Sequence, residues 1–229
     1  MRILLLMLFL TIGTNSEAAT GFEQAYGGPD VDRGIFVNLV EDGGFIAVGS
    51  TKSSGAGNED IYLVRTDSAG EVLWSKTFGG IEQDLGWSVH GTSNGFVLAG
   101  STRSFGSGQN DFYLVKTSAD GEEEWSKTFG GEGNDRCWAL IRTNDGGFVL
   151  AGETTSFGEG EEDFHLVKTD SLGIMLWSQT YGGAKSDRCF SVVQADDGGY
   201  VLAGQTYSDG AGDRDVYVVK TSAGGVLEW

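Results

Sequence analysis

Proline, cysteine and basic residues are all scarce in this 229-residue chain. It has one proline and two cysteines, and its 15 Lys and Arg face 33 Asp and Glu, which gives a net charge of −18. Nucleic-acid binding needs clustered positive charge to neutralise phosphates, so we expect no nucleic-acid partner.

Long hydrophobic runs are almost absent as well. The one such run covers residues 3–10, follows Arg2 and precedes the small residues Ser16, Ala18 and Ala19. A positive start, a short apolar stretch and a small-residue cleavage site indicate a secretory signal peptide over residues 1–19. We therefore expect a secreted protein, whether extracellular, periplasmic or at the cell surface, with no membrane insertion of residues 20–229.

Helical periodicity is missing, and 38 glycines argue against long helices. Instead, one sequence pattern recurs four times with a period of about 52 residues. Trp74, Trp125, Trp177 and Trp229 are 51 or 52 residues apart, and other anchors keep the same spacing. Residues 20–229 therefore form one repeat domain. The repeats cover about 29–80, 81–131, 132–183 and 184–229, and residues 21–28 form an additional N-terminal outer strand.

Each repeat contains four short apolar runs separated by Gly, Asp and Asn turns. In the third repeat the runs cover residues 137–142, 148–152, 163–169 and 174–181. This pattern predicts a four-stranded antiparallel meander. The middle runs are apolar without alternation, so both faces of each sheet should be buried against neighbouring sheets. An all-β propeller of four blades satisfies these conditions.

The closure of such a propeller has two solutions in the sequence. Residues 22–28 match residues 74–80, the end of a fourth strand. The last repeat reaches only the first position of that segment, at Trp229. The N-terminal segment could therefore complete the last blade and remove an open sheet edge, which closes a four-bladed ring. Alternatively, the four blades are a fragment of a larger propeller.

The repeat motifs resemble those of known propellers. Residues 60–74 carry an Asp…Gly…Trp pattern similar to the repeat of quinoprotein-dehydrogenase-like propellers, with a turn one residue shorter. Asp-Gly-Gly-Phe-Val-Leu-Ala-Gly and Trp-Ser-Lys-Thr-Phe-Gly-Gly resemble repeats of secreted bacterial and archaeal propeller-like proteins. The resemblance covers residues 21–229 and implies the fold; most such proteins have no assigned activity. The vicinal disulfide of quinoproteins has no match, since Cys137 and Cys189 are 52 residues apart.

Two residue types recur where repeats should meet. A large aromatic at one fixed position usually docks between adjacent units, so we expect Trp74, Trp125, Trp177 and, at the last position, Trp229 to be structural docking residues. Cys137 and Cys189 share one repeat position at the start of a first strand. They either form a disulfide near the axis of a narrow ring or fill space there as small buried residues.

Aspartate recurs at two positions in every repeat, namely Asp32, Asp84, Asp135 and Asp187, and Asp60, Asp111, Asp163 and Asp215. A residue needed in every unit is typical of a turn that accepts backbone N–H groups, rather than of a catalytic site. Residues 130–135 match the start of a calcium-binding nonapeptide, but without its tandem copies. Calcium stays open as the one cofactor, with Asp135, Asp163, Asp187 and Asp215 as candidate ligands.

The sequence indicates the fold more clearly than it indicates the function. His90 and His165 lie in different repeats and make a poor metal site, and no nucleophile elbow or singled-out carboxylate marks a catalytic centre. We expect a non-catalytic binding or structural protein that uses its acidic loops for a glycan, a cation or a cell-surface protein. The alternative is an extracellular polysaccharide hydrolase or a quinoprotein-like oxidoreductase. A pocket that breaks the repeat symmetry would mark the binding site.

Overall fold

The structure, a computed structural model, describes residues 23–229, so the predicted signal peptide lies outside the described residues. The described chain is all-β and contains fifteen strands in four antiparallel sheets. No helix among these residues is long and apolar enough to cross a membrane. The all-β class and the four repeated antiparallel sheets predicted from the sequence are thus confirmed, but the fourth sheet has three strands where four were predicted.

Strand order follows chain order in every sheet, as expected for meanders. The first sheet comprises β1 (Asp32–Leu39), β2 (Phe45–Thr51), β3 (Asp60–Thr66) and β4 (Val72–Phe78). The second comprises β5 (Asp84–Thr92), β6 (Gly95–Thr102), β7 (Asp111–Ser118) and β8 (Glu123–Phe129). The third comprises β9 (Asp135–Arg142), β10 (Phe148–Thr154), β11 (Asp163–Thr169) and β12 (Met175–Tyr181). The fourth comprises β13 (Asp187–Gln194), β14 (Tyr200–Thr206) and β15 (Asp215–Thr221).

The fourth sheet also begins a fourth strand. Leu227 pairs with Thr221 of β15, and the N–H of Lys220 donates to the carbonyl of Trp229 at 2.8 Å. Trp229 therefore occupies the repeat position that Trp74 holds in β4. Among residues 23–229, none on the fourth sheet corresponds to residues 75–78 of β4.

Apolar side chains from consecutive sheets interlock to form the core. One cluster joins Ile61 and Leu63 of the first sheet to Leu98 of the second, and corresponding clusters join the second sheet to the third and the third to the fourth. Every residue of β6 is buried, because this strand is covered on both faces. That burial explains why its sequence is apolar without alternation. We call these three contacts the first, second and third seams.

Backbone hydrogen bonds join the sheets at one edge. The N–H groups of Asp84, Asp135 and Asp187 donate across the three seams at 2.6–2.8 Å to the carbonyls of Glu59, Asn110 and Glu162. These bonds hold the loop before the third strand of one sheet against the start of the next sheet. We call this edge, formed by the loops between second and third strands and the connections between sheets, the rim.

The two outermost sheets do not cover each other. Val216 on β15 is 83% exposed, whereas its counterparts Ile61, Phe112 and Phe164 are fully buried. On the other end, Val37 of β1 is 61% exposed, whereas its counterpart Val89 is fully buried. The closed four-sheet ring is therefore not formed.

The N-terminal segment lies elsewhere than the closed ring requires. Residues 23–28 form no strand, and the hydroxyl of Tyr26 donates to the carbonyl of Gly70 at 2.7 Å. The segment thus lies on the first sheet rather than on the fourth. It cannot reach the fourth sheet of its own chain, because the two ends of the stack do not meet.

Candidate functional site

The first set of recurrent aspartates builds the frame of the rim. Asp135 accepts hydrogen bonds from the hydroxyls of Thr154 and Ser156 and from the N–H of Gly131 at 2.8 Å. Its counterparts accept equivalent bonds from a serine hydroxyl and a glycine N–H in each of the other repeats. Such repetition matches a turn-stabilising role, in which each carboxylate fixes the entry to a first strand.

The second set lies against the first across each seam. Asp163 accepts the N–H of Glu159 at 2.7 Å, and Gly182 separates its carboxylate from that of Asp187. Burial first, and then the Asp187 charge, raise the pKa of Asp163 to about 6. Burial and the charge of Asp135 raise the pKa of Asp111 to about 6 in the same way. The seams thus contain buried carboxylate pairs.

These pairs determine where the candidate calcium ligands lie. Asp163 and Asp187 meet at the third seam, Asp135 belongs to the second seam, and Asp215 lies on the fourth sheet, where one carboxylate oxygen has no hydrogen-bond partner. The four therefore do not converge on one point. Within residues 23–229, no group of three or more His, Cys, Asp or Glu side chains is arranged to hold a metal ion.

A charged cluster at the third seam departs from the repeat pattern. Glu153, at the end of β10, is 1% exposed, and its Oε1 accepts a bond from Arg136 at 3.4 Å. Arg188, at the start of β13, places its Nε 2.7 Å from Glu162 and 3.8 Å from Glu153. Two guanidinium groups and two carboxylates thus meet where the third and fourth sheets join.

The other two seams carry different chemistry at the same positions. At the first seam a single carboxylate, Glu59, accepts bonds from Arg33, Ser50 and Gln83 at 2.6–2.8 Å. At the second seam the pair is neutral, and Asn110 donates to Asn134 at 2.5 Å. The backbone frame is therefore constant while the side chains at the rim vary, which is the arrangement of many binding sites on rigid scaffolds.

The two glutamates of the third seam have opposite pKa shifts. Burial raises the pKa of Glu153, and the nearby charge of Glu162 raises it further. Burial also acts on Glu162, but hydrogen bonds from Arg188 and Ser186 outweigh it and lower the pKa of that carboxyl. At neutral pH Glu162 is therefore a fixed anion paired with Arg188. Glu153 is the carboxyl that gains a proton more readily.

An open pocket of about 610 Å³ lies over this cluster, lined by Thr155, Glu161, Glu162, Lys185, Ser186, Arg188 and Tyr207. Its lining combines charges of both signs, hydroxyls and one phenol ring. Tyr207 stands where the other repeats have Lys52, Arg103 and Thr155. The pocket breaks the repeat symmetry, as the sequence analysis required of a binding site, and it can offer hydrogen bonds and a stacking surface to a polar ligand.

A row of aromatic side chains lies on the first strands of the second, third and fourth sheets and was not predicted from the sequence. Trp87, Trp138 and Phe190 share one repeat position, with ring centroids 4.4 Å apart for the two tryptophans and 6.2 Å apart for Trp138 and Phe190. The indole N–H of Trp138 lies near Glu153 and lowers its pKa, although the two form no hydrogen bond of normal geometry. The signal for this row was an aromatic residue that follows the Gly or Cys of the first strand in the second, third and fourth repeats.

Three of the four tryptophans expected to dock between repeats lie at the seams. Trp177 packs against the cluster of the third seam, with its ring centroid 5.9 Å from that of Tyr200 on the next sheet. Trp74 and Trp125 make the equivalent contacts with Phe96 and Phe148 at 5.8 and 6.3 Å. Trp229 has no following sheet and is 67% exposed.

The disulfide considered from the sequence is not formed. Cys137 and Cys189 are both free and buried, and each Sγ donates to a carbonyl of its own strand at 3.5 Å. Cys137 packs into the second seam and Cys189 into the third, so the third sheet contributes to both seams and separates the thiols. Equivalent repeat positions therefore do not face each other, and each thiol fills space as a small apolar group.

The histidines are packing residues in the structure. His165 is 2% exposed and lies between the rings of Phe112 and Phe157, with centroid distances of 5.0 and 5.6 Å. Burial lowers its pKa to about 4. His90 lies 2.8 Å from the carbonyl of Leu140 through its Nε2, and burial lowers its pKa as well. Neither histidine lines the pocket at the third seam.

Comparison with known proteins adds a partial likeness. No family model matches the chain. A stretch of 114 residues is 28% identical to the regulatory protein FlaEY of Caulobacter vibrioides, which covers 44% of this chain and 12% of that protein. The chain thus spans a small part of the length of this relative.

Proposed function

We propose that the four sheets are blades of a β-propeller and that the protein is a secreted, non-catalytic binding protein whose ligand occupies the pocket at the third seam. One observation carries this proposal. The carboxylates that build the rim recur in all four repeats, whereas the residues that line this pocket occur in one seam. A constant frame that carries one distinct set of side chains supports a specific site better than it supports a merely soluble acidic surface.

The lining supports a glycan as the ligand. Arg188 and Glu162 form a paired donor and acceptor at 2.7 Å, an arrangement that can bind neighbouring hydroxyl groups of a sugar. Tyr207 offers a ring on which the apolar face of a sugar can stack, together with a hydroxyl. Lys185 and Arg188 are balanced by Glu161 and Glu162 in the lining, and the chain carries a net charge of −18, so we expect neutral glycans to bind better than sulfated ones.

A glycan array followed by calorimetry tests this function, with variants Tyr207→Ala and Arg188→Gln. The chain offers matched controls on the first sheet, because Lys52 and Arg33 occupy the same two repeat positions there. We expect the third-seam variants to weaken binding at least tenfold while Lys52→Ala and Arg33→Gln bind as the unmodified protein does. Equal loss from both pairs would show that the pocket is not the site, and no glycan binding at all would reject the proposed ligand.

A hydrolase is the second candidate, since Glu153 and Glu162 have pKa values shifted in opposite directions. Such a pair is the usual arrangement of a general acid beside an ionised carboxylate. Against it, Glu153 is 1% exposed and engaged by Arg136, so a substrate would have to displace that guanidinium. Assay of a polysaccharide panel with Glu153→Gln and Glu162→Gln separates the two functions, because a binding protein releases no reducing ends.

A further inference from the structure

The exposed faces at the two ends of the stack are the two halves of one seam. We propose that two copies of this chain associate head to tail, so that the fourth sheet of each copy packs on the first sheet of the other and eight sheets form a closed ring. This inference concerns assembly and does not depend on the ligand proposed for the pocket.

The outward face of the fourth sheet repeats the faces that are buried in the internal seams. Val216 and Val218 are 83% and 39% exposed. Their counterparts in the first three sheets, at both positions, are all fully buried: Ile61 and Leu63, Phe112 and Leu114, Phe164 and Leu166. Since these positions are apolar in all four sheets, the uncovered face has the composition of a seam rather than of a solvated surface.

The outward face of the first sheet is the complementary half. Val37 is 61% exposed, whereas Val89, Leu140 and Val192 at the same position are 0–4% exposed and pack on the preceding sheet. The space beside Gly34 on this face is also unfilled, because a Cβ added to Gly34 would meet nothing within 4 Å. A Cβ added to its counterpart Gly86 would lie within 3 Å of the preceding sheet.

The N-terminal segment already lies where the missing strand would run. The hydroxyl of Tyr26 donates to the carbonyl of Gly70 at 2.7 Å, just as Tyr181 of the third sheet donates to Gly225 of the fourth at 2.6 Å. Residues 23–26 therefore correspond to the last four residues of β4. Residues 226–229 of a second copy correspond to the residues before them, so the two segments would form one complete outer strand.

The rim shows the same incomplete seam. At the third seam Gly182 lies between the carboxylates of Asp163 and Asp187, but Gly27 lies against Asp32 alone. Asp215 is the counterpart of Asp163 on the fourth sheet. Docking of the fourth sheet on a first sheet would bring this aspartate to Gly27 and Asp32 and so complete the carboxylate pair.

Two copies are the number that fits. One copy does not close on itself, because both end faces are exposed, and propellers usually have between four and eight blades. A head-to-tail contact yields a ring when the rotation closes and an open filament when it does not. Arg214 replaces the glutamate that pairs with Arg188 at the third seam, so the new seam lacks this ion pair and we expect reversible association.

Sedimentation equilibrium of the purified protein tests the proposal with three variants. Val216→Asp and Val37→Asp each disable one end face, and both residues are too exposed for the change to prevent folding. Leu176→Asp is the control, since Leu176 is 56% exposed on β12 of the third sheet, which lies between two other sheets and carries no end face. We expect twice the chain mass for the unmodified protein and the control, and one chain mass for each end-face variant.

Mixing the two end-face variants gives a sharper result. A Val37→Asp copy keeps an intact fourth sheet and a Val216→Asp copy keeps an intact first sheet, so the mixture should regain a two-chain species through one intact seam. A single-chain mass for the unmodified protein would overturn the proposal, as would unchanged mass in the Val216→Asp variant. Larger open assemblies would overturn the closed ring, and failure of the mixture to associate would overturn the head-to-tail contact.

Discussion

Trp177 and its neighbour Leu176 allow a matched prediction of how much a seam tryptophan stabilises the fold. Trp177 is partly buried against Tyr200 at the third seam, whereas Leu176 beside it on β12 is 56% exposed. We expect Trp177→Ala to destabilise the fold strongly and Leu176→Ala to have little effect. Both variants place an alanine on the same strand, so any general effect of alanine on β12 appears in both.

The magnitude for Trp177 follows from the area it buries. A tryptophan side chain buries roughly 150–250 Å² in a core, and burial contributes about 25 cal/mol per Å². Because Trp177 is only partly buried, truncation should remove about 3 kcal/mol, at the lower end of the range for Trp→Ala in cores. Leu176→Ala should stay within about 0.5 kcal/mol, as is usual for exposed positions.

Thermal unfolding followed by tryptophan fluorescence and far-UV circular dichroism measures both variants. For a domain of this size a loss of 3 kcal/mol lowers the melting temperature by about 6–12 °C. The control should melt within about 2 °C of the unmodified protein. Equal unfolding midpoints for the two variants would refute the assignment of Trp177 to the seam.

Four further predictions concern buried groups and metal binding. The pKa of His165 falls from 6.5 to about 4 in the fold, so stability is lost as pH falls through that window, and His165→Tyr should recover about 2 kcal/mol at pH 5 in urea unfolding. The pKa of Asp163 rises from 3.8 to about 6, so stability falls as pH rises through that window, and Asp163→Asn should remove this dependence. Cys137 and Cys189 should both be alkylated after denaturation without reductant and neither beforehand, which mass spectrometry measures; a mass unchanged after denaturation would indicate a bridge. If the rim carboxylates bind calcium, millimolar calcium should raise the melting temperature, and calorimetry without heat or thermal shift would exclude this.

The repeat pattern made most of the fold predictable. Non-alternating runs such as β6 gave strands buried on both faces, and the aspartate at each strand entry, such as Asp135, accepts a backbone N–H as its turn position suggested. These features depend on local sequence and recur four times, so each repeat supports the prediction made from the others.

The features that escaped prediction depend on how neighbouring sheets face each other. Cys137 and Cys189 share a repeat position, yet they enter different seams, and sequence spacing does not show this separation. Glu153 occupies a position that is serine or glutamine elsewhere, but its contact with Arg188 joins two repeats and depends on side-chain conformation. The open ends are likewise invisible in the sequence, because the apolar pattern of the first and fourth repeats matches that of the buried ones.

Hydrogen exchange with and without a bound glycan tests the central claim, that the third seam is the binding site, most directly. The account predicts slowed exchange in residues 155–162 and 185–188, which line the pocket, and unchanged exchange in the matching first-seam residues 52–59 and 82–85. Equal protection at both seams, or protection confined to the first, would contradict it.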